Sequence, residues 1–191
     1  MNEAPVFAAL TRRRSSPRLV DPSPDDTALL PLIAAASRIA DHGSLRPWRL
    51  ITIRGEARMR LGLALAEAAG LDPTAAGAGL AQKPLRAPLL IALVERQQQS
   101  FKVHPWEQSD VVAGIGHVLT LLLEEAGWGV MWRSGPHTRH DAVRAAHGLA
   151  EHETLHGWLY VGTTAGNAAP KPERAAIIPE EFLSAFPVPE A

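Results

Sequence analysis

Polar breaks divide the chain into two kinds of stretch: some carry apolar residues at helical spacing, others are short and apolar throughout. Ala4 to Arg13 reads as a first helix, broken at Ser15-Ser16-Pro17-Arg18. Ser23-Pro24-Asp25-Asp26 offers an N-cap, a proline for the first turn and early acids. A second helix is therefore expected from there to about Ile39, with Pro31 kinking it or delaying its start. Trp48 to Arg54 alternates like a strand, and Gly55 closes it. Leu61, Leu65 and Ala68 mark a helix over Glu56 to Ala69. Ala87 to Val94 is an unbroken apolar run, the pattern of a central strand covered on both faces. Arg96 to Asp110 reads as a polar, irregular connection, and Val111 to Ala126 as the most hydrophobic helix, ended by Gly127. A strand at Gly129 to Arg133, a helix at Arg139 to His147 and a last strand at His156 to Thr163 follow. The tail from Ala165 carries Pro170, Pro172, Pro179, Pro187 and Pro189, so it cannot be regular throughout. Its Ile177, Ile178, Phe182, Leu183 and Phe186 predict that it docks on a partner surface. About four strands mixed with five or six helices make an α/β or α+β layered sheet. That class alone carries no function.

Composition restricts the chemistry more than the fold. At 191 residues, one domain over 1–191 is the default, and roughly 70% of the unfolded surface can be buried without staples. There is no cysteine, which excludes disulfides, thiolate metal sites, thiol nucleophiles and CxxC redox chemistry. An enzyme with this composition works with His, Ser, carboxylates, a metal on N/O ligands, or a borrowed cofactor. Nineteen Lys and Arg against twenty Asp and Glu leave a net charge of −1, so nothing global recommends nucleic acid or an anionic membrane as partner. The longest nearly apolar stretch, Val111 to Leu123, contains His117 and Thr120 and is too short to cross a bilayer. Met1 to Leu10 runs into Arg12, Arg13 and Arg14, the reverse of a signal peptide's order, and a cytoplasmic location is expected.

Several groups of residues could carry chemistry. His152-Glu153-Thr154-Leu155-His156 is literally H-E-x-x-H, but a zinc site needs those residues on one helix face. Gly148 ends the preceding helix and Gly157 opens a strand, so the helical context fails and no metal is expected. Arg12-Arg13-Arg14-Ser15 and Trp132-Arg133-Ser134 both pair guanidinium with hydroxyl donors, a combination that holds a phosphate, and the second stands where a strand ends. The plain alternative for the first is a solvated basic surface. Asp41-His42 is an acid/base pair, a ligand pair or a turn, and Lys102 to Gln108 a packed loop anchored by Trp106. Neither a P-loop nor G-x-G-x-x-G occurs, and Gly114-x-Gly116 reads as close helix packing.

Taken in order, RRRSSPRL (12–19), DHGSLRPW (41–48), KPLRAPLLI (83–91), KVHPWEQ (102–108), GWGVMWRSG (127–135) and LYVGT (159–163) resemble the FMN-dependent nitroreductases, most of all a compact bacterial subgroup of NAD(P)H nitroreductases. The resemblance implies an α+β subunit with a central mixed, mainly antiparallel sheet flanked by helices. It also implies a homodimer with FMN at each subunit interface and the C-terminal tail packed on the partner. By matching position, Arg13, Arg14 and Ser15 hold FMN near its phosphate and ribityl chain, and Trp132, Arg133 and Ser134 complete the pocket. Arg38 and His42 match further flavin contacts, with His42 reaching the neighbouring subunit's flavin. The implied activity is a two-step exchange in which NAD(P)H reduces FMN and an electron-poor small molecule, a nitroaromatic or quinone, takes the hydride from N5, with no catalytic side chain required. Where the broader family has A-P-S-A-x-N-x-Q-P-W this chain has I-A-D-H-G-S-L-R-P-W, and Arg46 adds a cation that suggests an anionic acceptor. A flavin-binding protein without turnover is the alternative from another class, and a zinc hydrolase on His152 and His156 the remote one.

Overall fold

The computed structural model describes residues 4–166 and 175–186. Helices α1 (Pro5–Arg12), α2 (Asp26–Ala36), α3 (Glu56–Ala68), α4 (Ala78–Ala81), α5 (Pro105–Glu125) and α6 (Asp141–Ala146) flank five strands. These are β1 (Leu19–Val20), β2 (Trp48–Arg54), β3 (Leu89–Arg96), β4 (Gly129–Arg133) and β5 (Glu153–Thr164). The fold is α+β with an open sheet. In it β5 pairs with β1, β3 and β4, and β2 lies beyond β3. All pairings among the described residues are antiparallel.

Side-chain alternation along β3 builds two cores. Leu89, Ile91 and Leu93 pack with Val112, Ile115 and Leu119 of α5, while Leu90, Ala92 and Val94 pack with Leu61 and Leu65 of α3 and Val143 of α6. This is why the run from Ala87 reads as apolar without interruption: both faces are covered.

Three local differences from the sequence reading have simple causes. Helix α5 begins at Pro105, not near Val111, because Pro105 suits a first helical position and Glu107 accepts a hydrogen bond from the His104 amide at 2.9 Å. Helix α2 is capped by Asp25, whose carboxylate accepts from the Ala28 amide at 2.8 Å, and it continues through Pro31. Strand β5 starts at Glu153, so it includes most of the H-E-T-L-H segment. Among the described residues no helix is long and apolar enough to cross a membrane. Ile177, Ile178, Phe182, Leu183 and Phe186 are all exposed on this chain; Pro170, Pro172, Pro187 and Pro189 lie outside the described residues.

Candidate active site

Strand β4 ends on Trp132 and Arg133, whose side chains take opposite faces of the sheet. Trp132 lies against Gly116 of α5, where a Cβ would sit 2.6 Å from its ring, and it meets the His117 ring at 5.0 Å. Gly114-x-Gly116 is thus a close-packing device, as its apolar setting implies. Arg133 turns to the α3 face, its guanidinium 5.4 Å from the Tyr160 ring centroid. The Arg133 Nε is buried and has no hydrogen-bond partner among the described residues. A cavity of about 380 Å³ opens here, lined by Arg133, Ser134, Lys83, His137 and Tyr160 among others. Burial pushes the Tyr160 hydroxyl up, against the pull of Arg133 and Arg86.

The backbone around this cavity is held by a bulge. Leu93 pairs with Gly157 but Val94 with Leu155, which leaves His156 as the extra residue. Gly157 has φ 133°, and a Cβ on it would stand 2.5 Å from the Arg133 carbonyl oxygen. Only glycine lets the 133–134 backbone approach so closely.

The other predicted site residues lie along α5. At its C-terminal end Glu124 accepts from the Arg14 amide at 3.2 Å, and the Arg14 guanidinium folds onto the Thr11 and Arg13 carbonyls, each at 2.9 Å. The Ser16 amide donates to the Val130 carbonyl at 2.8 Å, so the Arg13–Ser15 segment runs into β4. Arg38 stands exposed just after α2. His42 is at the N-terminal end of α5, its Nδ1 2.8 Å from Glu107 Oε2. Roughly 25 Å of helix, at 1.5 Å per residue, separates Glu107 from Glu124. A single chain therefore gathers Trp132, Arg133 and Ser134, and links Arg13, Arg14 and Ser15 to them through β4, but keeps His42 apart. Arg46 is exposed with φ 48°, its amide held by Asp41 Oδ2 at 2.8 Å.

The H-E-T-L-H residues face a different task. Glu153 accepts a two-pronged contact from Arg49 at 2.6 and 2.7 Å, which holds its carboxyl down at about 2. His156 Nε2 is 2.7 Å from Glu95 Oε2, which also accepts from Ser109 at 2.9 Å. On a strand, with its one acid and its second histidine engaged, the segment ties β5 to β2 and β3, and through Glu95 and Ser109 to α5.

The nitroreductase family profile matches residues 10–163. The chain belongs to the nitroreductase family. It is 36% identical over 157 residues to an Escherichia coli (strain K12) protein named "Putative NAD(P)H nitroreductase YdjA", covering 81% of this chain and 85% of that one. Its fold is similar to that of the nitroreductase-like family protein from Bacillus cereus, with a TM-score of 0.80 at 20% identity over 97% of this chain and 98% of the other. It is also similar to the FMN and NADPH-dependent nitroreductase NfnB from sphigopyxis sp. strain HMH, with a TM-score of 0.69 at 21% identity over 95% and 98% of the two chains. Within this nitroreductase-family fold, sequence reasoning missed Lys83, Tyr160 and Glu107. Lys83 and Glu107 stand inside the quoted motifs KPLRAPLLI and KVHPWEQ, but nothing in their spacing links them to β4 or to His42.

Proposed function

We propose that this chain is an FMN-dependent oxidoreductase that uses NAD(P)H to reduce an electron-poor small molecule, nitroaromatic or quinone-like. The observation that carries the reading is the buried, unpartnered Arg133 Nε beside Lys83 and Ser134 in a cavity of about 380 Å³. A buried donor without a partner costs about 1–3 kcal/mol, and an anionic ligand removes that cost. The residues fit FMN: two cations and a hydroxyl for its charged or carbonyl oxygens, and aromatic walls from Tyr160 and Trp158 for its ring. When bound, FMN supplies the two-electron carrier that accepts hydride at N5 from NAD(P)H and passes it on. Arg133 and Lys83 stabilise negative charge in the cavity, and Arg13, Arg14 and Ser15 add donors where the chain enters β4.

Placement along α5 supports a homodimer with the flavin between subunits. Arg14 sits at one end of α5 and His42 at the other, further apart than one mononucleotide spans. A two-fold copy with its α5 antiparallel brings the neighbour's His42 and Arg38 toward this chain's Arg13–Ser15 and β4. Apolar groups await such cover: Val6, Phe7 and Leu10 on α1, Trp106 on α5, and the tail from Ile177 to Phe186 are exposed on the single chain. A cytoplasmic small-molecule reductase with no nucleic-acid or membrane partner is the setting this reading expects.

The deciding test is the absorption spectrum of the purified protein, followed by anaerobic addition of NADH or NADPH. A flavin spectrum bleached by either reductant and restored by a nitroaromatic or quinone is expected. Flavin that neither reductant bleaches means a binding module without turnover, and stoichiometric zinc without flavin sinks the proposal.

A further inference from the structure

Resting on that reading, the geometry points to Glu107 as a positioning residue: it fixes His42 with Nδ1 turned inward and Nε2 presented to the flavin site, so that Nε2 hands a proton to the acceptor. The argument begins with α5. Glu107 is held twice, its Oε1 accepting from the His104 amide at 2.9 Å and its Oε2 standing 2.8 Å from His42 Nδ1. A carboxylate only accepts, so the proton between them belongs to Nδ1 and the neutral ring leaves Nε2 as a lone pair. His42 also holds the Glu107 carboxyl below its ordinary range, which keeps it ionised as the pH falls.

The ring's other edge is open. The His42 side chain is 44% exposed against 22% for Glu107, and among the described residues no hydrogen bond ties its Nε2. Around it lies a shallow hollow of about 420 Å³ with Trp106 and Asp110 on its wall. The charged groups beside the ring are Glu107, bonded to it, and Asp110, which lines the same hollow; Asp41 precedes it in its own turn. Asp41 is already engaged by the Leu45 and Arg46 amides at 3.3 and 2.8 Å. The turn is rigid in an unusual way: Gly43, Ser44 and Arg46 all have positive φ, at 75°, 52° and 48°. Two non-glycine residues in that region are held there by surrounding bonds, which is the condition under which strain serves a site.

The proton balance is simple. Reduction of a quinone-like acceptor to its hydroquinone takes two electrons and two protons; NAD(P)H supplies the electron pair with one proton as hydride, and His42 Nε2–H supplies the other. The ring is left neutral with its proton on Nδ1, held by Glu107, and Nε2 recovers a proton from solvent.

The test has two arms. In the protein without added substrate, nitrogen-15 histidine spectra are expected to show His42 as the Nδ1–H tautomer above its titration, and a mixed tautomer in Glu107→Ala. In the flavin-loaded protein, the rate of acceptor reduction is expected to fall toward alkaline pH, where Nε2 carries no proton to give. Glu107→Gln, whose amide oxygen still accepts from His104, is expected to change that pH profile, and His42→Gln to abolish the fall. Protein that binds FMN and is reduced by NAD(P)H, yet shows the same pH profile in wild type, Glu107→Gln and His42→Gln, overturns this inference alone. Protein that binds no flavin overturns the reading beneath it.

Discussion

Around β4, Arg133 is half-buried, its enclosed Nε without a partner among the described residues and its guanidinium against Tyr160, whereas at the end of α1 Arg14 spends its guanidinium on the carbonyls of its own turn. Both clusters pair Arg with Ser. The first is a finished cavity whose walls come from α3, β4 and β5, and whose one unpaired donor asks for a ligand. The second is a set of donors at the surface, satisfied by backbone and by Glu124, beside a hollow of about 260 Å³ walled by the C-terminal end of α5. A cavity made by one chain binds by preorganisation, and an open half-site binds only when something closes it. On one chain this half-site stays open, because His42 lies at the far end of α5, against Glu107.

Ways to break this comparison run from large effects to none. The largest belongs to the frame that both halves share: Glu153→Gln removes one partner of a partly buried, two-pronged ion pair and should cost about 1–3 kcal/mol of stability in denaturant melts, with little change in flavin affinity. The same pair predicts an acid limb. Glu153 is held at about 2 in the folded chain against an ordinary 4.5, so the unfolded chain binds more protons between those values. Its stabilisation is complete above pH 4.5 and is lost as the pH falls toward 2, by at most about 3 kcal/mol. Thermal melts from pH 6 to 3 read this, and a slope identical in wild type and Glu153→Gln would assign it to other groups. Next, Arg133→Ala should weaken FMN binding about 10- to 100-fold by fluorescence titration, the loss of a charge-assisted contact in a dry site. Arg14→Ala should weaken it only a few-fold; an effect larger than that of Arg133→Ala reverses the assignment of the anchor. Finally, His152→Ala should leave flavin content and turnover as they are, since His152 lines a separate open hollow beside Gln97 and Gln98. A dead variant restores weight to H-E-T-L-H.

Much of the frame was legible because it depends on local rules. The run from Leu89 to Val94 had to be central, and the helix ending at Gly127 had to be buried, since period and composition report burial directly. The early start of α5 was masked by polar residues in its first turns, where a proline and a capping acid take the place of apolar periodicity. Strand β1 is two residues long and exists only because β5 lies beside it. Of the candidate site, the resemblance named Arg133 and His42 but not Lys83 or Glu107, which come beside them only through contacts across tens of residues.

By itself the sequence determined the family, the alternation that puts α3 and α5 on opposite faces of one sheet, and, through the absence of cysteine, that any redox chemistry is borrowed. Tertiary structure decided which arginine encloses its Nε and which turns its guanidinium onto its own backbone, that the H-E-T-L-H acid and its second histidine are consumed by Arg49 and Glu95, and that Glu107 meets His42. Burial and hydrogen-bond partnership are properties of groups brought together from distant parts of the chain. No local pattern records them, because each residue's own neighbourhood in sequence is the same whichever partner it finds.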